Sequence, residues 1–149
     1  MTPAAALSVS REFFRGYELC TRTGLPAEVG ERNAIIAGIV CLALSVELGL
    51  KAILLSKTAR VEGHNLDELF ARLPHTQQDR VSQSCGLERE VFASELRLVA
   101  NAFVEWRYIH EERGTVRINN SFLLELSRAV TALAESIVLA QRQGKAGEA

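Results

Sequence analysis

Four charged or titratable side chains stand where helical periodicity asks for apolar ones: Glu47 and Lys51 in one apolar stretch, Arg107 and His110 in another. Glu47 continues the stripe Ile36, Val40, Ala43, and Lys51 is the next position along it. An isolated charge withdrawn from water is expensive, so a carboxylate on such a stripe needs a partner. Lys51, one helical turn on, is the nearest in sequence. In the second stretch Leu96, Val99, Phe103 and Trp106 predict an apolar residue at the place His110 occupies. Arg107, three residues earlier, falls about 60° away around the same axis, so both share a face. An imidazole beside a guanidinium can move a proton and stabilise charge developing on a phosphoryl group. Plain readings stand beside these. Glu47 and Lys51 can be a structural ion pair and nothing more, and Arg107 can pair with Glu111 four residues on. Between the two stretches we expect a Glu47–Arg107 contact across the helix interface, because both are central and opposite in sign.

Most catalytic alternatives fail on residue type. A di-metal carboxylate bundle needs Glu-x-x-His, but the residues three before each His are Val61, Arg72 and Arg107. Cys20, Cys41 and Cys85 show neither Cys-x-x-Cys spacing nor a zinc-type Cys/His cluster, and each is expected to be a small buried hydrophobe. Gly-rich phosphate loops and nucleophile motifs are absent. No metal and no cofactor are expected. His64 reads first as a corner ahead of a capped helix, with a site role as the alternative, and His75 after Pro74 reads as exposed and inert.

The elements that position these residues are helical, since strand-type alternation is almost missing. A first helix is expected over Leu7 to Thr23, carrying Phe13, Tyr17 and Cys20 with Phe14 beside them, and Gly24 and Pro26 break it. The second runs from about Ala27 or Arg32 to Thr58 and is apolar nearly all round, which places it at the middle of a bundle. Gly63 and His64 then turn the chain. Asn65 and Glu68 resemble a capping box for a short helix, Leu66 to Leu73, ended by Pro74. The stretch His75 to Ser84 adds a further turn or two. A long helix is expected from Leu87 to about Glu112, stopped by Gly114, and a last one from Asn119 to Gln143, with a frayed tail from Gly144 to Ala149. The expected fold is all-α: an antiparallel bundle of four long helices plus one short one, a single domain over 1–149.

Composition agrees. Of 149 residues, 48% are apolar and 23% charged, enough for a core without staples and too apolar for disorder. A net charge of −1 argues against binding nucleic acid by bulk charge alone. The start MTPAAALSVS lacks the basic and apolar regions of a signal peptide. The run Ala34 to Val46 is cut by Glu47 short of the roughly 20 residues a membrane span needs. A buried helix, no membrane and a cytoplasmic location are therefore expected, the last also from the odd count of cysteines.

The segment Ser45 to Pro74, together with Phe103 to Glu112, resembles the HEPN family. The likeness rests on Glu47 and Lys51 on a central helix, the corner Gly63-His64-Asn65-Leu66, and the helix bearing Trp106-Arg107-Tyr108. It implies a helical bundle, homodimeric, from toxin–antitoxin or defence systems, in which members either cleave RNA or bind nucleotide, RNA or a nucleotidyltransferase or antitoxin partner. Glu47, Lys51, His64, Asn65 and Tyr108 would be the binding residues, and Arg107 and His110 the catalytic pair of an endoribonuclease. That nuclease pattern separates Arg and His by four to six residues. Here Arg60 and His64 have three between them, and Arg72/His75 and Arg107/His110 have two. A binding module without strong catalysis is therefore the leading expectation, with an endoribonuclease toxin and a purely structural scaffold as alternatives.

Overall fold

The computed structural model describes residues 1–22, 31–102 and 119–146, and among these the chain forms six α-helices and no strand. The first, α1 (Pro3–Cys20), starts four residues ahead of the expected Leu7. Thr2 is the reason: its backbone is extended and its hydroxyl accepts the Ala5 N–H at 3.1 Å. Pro3 follows at the first helical position, where a missing N–H costs nothing.

The second helix, α2 (Glu31–Leu55), occupies the centre. Ile39, Leu42, Ala43, Val46, Leu50 and Ile53 are all at most 3% exposed, as an all-round apolar helix requires. Its stretch Ala34–Leu55 is long and apolar enough to cross a membrane, Glu47 and Lys51 included, so the expectation that Glu47 cuts the run too short was too strict. In this fold the other helices cover it, with 67% of its most apolar window buried.

Contacts fix the helix directions. Ser10, Gly16 and Tyr17 of α1 meet Ser45, Cys41 and Gly38 of α2, so these two helices run antiparallel. The last helix, which follows three shorter ones described below, is the 27-residue Asn120–Ala146. Its Ser127, Val130 and Gln141 meet Ser45, Gly49 and Ser56, so it runs the same way as α2. A Cβ at Gly49 would stand 2.7 Å from Val130 Cγ1, which shows how closely the two backbones approach. Three hydroxyls tie this junction. Ser10 Oγ donates to the Ser45 carbonyl at 2.7 Å, and Ser45 and Ser127 share a bond of 2.8 Å.

Between the long helices lie α3 (Leu66–Ala71), α4 (His75–Ser84) and α5 (Arg89–Val99), which makes the last helix α6. At ten residues α4 is longer than the turn or two expected, and it closes on Gly86, whose φ of 66° is a left-handed value that glycine adopts without strain. Phe70, Phe92 and Phe122 join α3, α5 and α6, with ring centroids 5.2 and 5.4 Å apart. The last helix extends through Gly144 to Ala146, past the point where fraying was expected.

The helix foreseen from Leu87 to Glu112 is not continuous, because α5 stops at Val99 and the chain turns at Ala100 and Asn101. No Gly or Pro marks the place. The cause is tertiary: the Ala100 carbonyl accepts the Leu66 N–H at 2.8 Å, and Asn101 Oδ1 accepts Asn65 Nδ2 at 3.0 Å. Backbone groups that find partners on another element have no need of the next helical turn.

Candidate functional site

The site is built on the α2 face that meets the corner ahead of α3. Helix geometry sets Glu47 and Lys51 one turn apart on a common face, and Lys51 Nζ donates to Glu47 Oε1 at 2.7 Å. Glu47 is almost fully enclosed, its side chain 4% exposed; Lys51 is 13% exposed and His64 60%. The three therefore form a ramp from core to solvent. Gly63 supplies the turn that brings the imidazole over α2, with a φ of 99° that a side chain would strain.

His64 Nδ1 lies 3.0 Å from the same Oε1 that holds Lys51. A carboxylate accepts, so in this contact the imidazole Nδ1 is the donor. Asn65 closes the corner. Its Oδ1 accepts the Glu68 N–H at 3.0 Å, as the capping reading expected, while its amide nitrogen reaches Asn101. The other carboxylate oxygen, Glu47 Oε2, is buried and has no hydrogen-bond partner among the described residues. A charged acceptor left so costs upwards of about 1–3 kcal/mol. A purely structural pair has every reason to satisfy both oxygens.

The structure thus brings together Glu47, Lys51, His64 and Asn65. Arg107, Tyr108 and His110, and with them the expected Glu47–Arg107 contact, lie outside the described residues. Sequence reasoning missed Asn101, because nothing local distinguishes it from a solvent-facing helix residue. It also missed that His64 reaches Glu47, a contact spanning 17 positions with no periodicity to announce it. Among the described residues no group of three or more His, Cys, Asp or Glu side chains is placed to hold a metal ion.

Compared with protein-family models, with curated proteins and with solved structures, the chain matches none of them.

Proposed function

We propose that this chain is a HEPN-like helical module, homodimeric and cytoplasmic, that binds a nucleotide, an RNA or a partner protein at the Glu47–Lys51–His64–Asn65 corner. The observation that carries the reading is Glu47 Oε2, a buried charged acceptor held open beside a cation and an imidazole. Its chemistry asks for a donor, such as a base amino group, a ribose hydroxyl or a guanidinium, while Lys51 suits a phosphate. Completion of an antiparallel bundle of four long helices belongs to this reading. So does a place in a toxin–antitoxin or defence system beside a nucleotidyltransferase or antitoxin partner.

The test is calorimetric titration of the purified chain with nucleotides and short RNAs, alongside sedimentation equilibrium. The reading expects a dimer and saturable binding that weakens at least tenfold in Glu47→Gln and in His64→Ala, with an unchanged helical spectrum. A monomer that binds neither, and that draws no partner with the wild-type corner that the variants fail to draw, overturns it. Arg107 and His110 as an endoribonuclease pair would instead give RNA cleavage and growth arrest that both vanish in His110→Ala.

A further inference from the structure

Cys20 and Cys41 are 21 positions apart in sequence, and the fold sets them face to face. They lie on the antiparallel α1–α2 interface, Cys20 in the last turn of α1 and Cys41 in the apolar run of α2. Two glycines clear the space between the helices. A Cβ at Gly38 would lie 3.4 Å from Cys20 Cβ, and a Cβ at Gly16 would lie 3.1 Å from Cys41 Sγ. Gly16 is one turn before Cys20, and Cys41 is about one turn after Gly38, so each cysteine sits one step from the glycine the other presses on. Both thiols are free and both are partly open to solvent.

From this facing arrangement we propose that Cys20 and Cys41 form a reversible intrachain disulfide when the protein meets a peroxide, clamping the end of α1 onto α2. The site is independent of the Glu47 corner. The chemistry closes without a further reagent. The sulfur of Cys20 attacks the peroxide O–O bond, giving a sulfenic acid and one water. The sulfur of Cys41 then attacks the sulfenic sulfur, an S–S bond forms, and a second water leaves with the Cys41 proton. Two thiols lose two electrons and the peroxide gains them. Burial first, then the charge and hydrogen bonding of the neighbouring Cys20 thiol, raise the Cys41 thiol above its ordinary range. That makes Cys20 the first nucleophile and Cys41 the resolving partner.

Cys85 serves as the internal control. Burial, with a smaller contribution from Glu125, pushes its thiol up to about 11, so it reacts slowly. The purified full chain is treated with hydrogen peroxide and digested under non-reducing conditions, and its peptides are mapped by mass spectrometry. The expected result is an intact chain lighter by two hydrogens, a Cys20–Cys41 cross-linked peptide, Cys85 still alkylatable, and full reversal by dithiothreitol. The oxidised chain should also melt at a higher temperature than the reduced one. Overoxidation of Cys20 with Cys41 still free, or disulfides only between chains, overturns the proposal. Because the measurement uses the wild-type chain, it does not depend on a variant folding. Cys85→Ser should leave the cross-link intact, and Cys20→Ser should abolish it.

Discussion

Two buried polar groups lie two residues apart on α2 and are treated in opposite ways. Ser45 faces α1 and α6, and its hydroxyl and carbonyl are both engaged, by Ser127 and Ser10. Around it the packing is tight enough that Gly49 has no room for a methyl group. Glu47 faces the corner ahead of α3 and, among the described residues, is satisfied at one oxygen only. Buried polarity at Ser45 serves helix packing. At Glu47 it exceeds what packing requires, and that excess is what marks the corner as a candidate site.

Removing one partner from the corner should have the largest effect. Lys51→Ala leaves an enclosed carboxylate with His64 as its remaining partner among the described residues, and it should destabilise the fold by about 3 kcal/mol in urea unfolding. The double replacement Glu47→Leu with Lys51→Met takes both charges away and keeps the volume. It should return stability to within about 1 kcal/mol of the wild type, or above it, while abolishing the binding proposed for the corner. If the double variant is as unstable as the single one, the pair is there for the fold, and the contrast with Ser45 disappears.

The junction should break by crowding instead of by charge. Gly49→Ala gains about 1 kcal/mol of helix propensity but places a methyl group against Val130 Cγ1. A net loss of about 2 kcal/mol is expected, with ligand binding unchanged once the protein is folded. Adding Val130→Ala should recover part of that loss, since it opens the space the new methyl group needs. No recovery would mean that the approach of α2 and α6 is set elsewhere.

The same contrast explains what could be read in the sequence. Local rules reached local facts. The all-round apolar run gave the central helix, the four-residue spacing gave Glu47–Lys51, and Asn65 three residues before Glu68 gave the cap. Thr2 followed by Pro3 is an equally local start signal, four residues ahead of the apolar pattern that begins at Leu7. Tertiary facts stayed out of reach. The stop at Val99 depends on Leu66 reaching the Ala100 carbonyl, and the role of His64 depends on Gly63 turning it over a helix 17 positions away. Nor did the widely spaced cysteines show that Cys20 and Cys41 would meet. Each of these depends on a neighbour that one-dimensional periodicity does not name.

The smallest expected effect isolates what holds the corner together. Asn65 does two things: its oxygen caps α3, and its amide nitrogen reaches Asn101 at the break after α5. Asn65→Asp keeps the cap, and its charge suits a helix N-terminus, but it loses the donor. Asp67 and Glu68 already crowd that turn with negative charge, which offsets part of the gain. The Asn101 amide can turn to present its own N–H₂ to the new carboxylate, so stability should stay within about 0.5 kcal/mol of the wild type. Asn65→Ala, which loses cap and bridge together, should cost about 1 kcal/mol. Thermal unfolding of both variants decides the matter. Equal losses in Asp and Ala would show that the bond donated by Asn65 to Asn101 holds the corner over Glu47; a loss confined to Ala would show that a carboxylate at this position serves both the cap and the bridge.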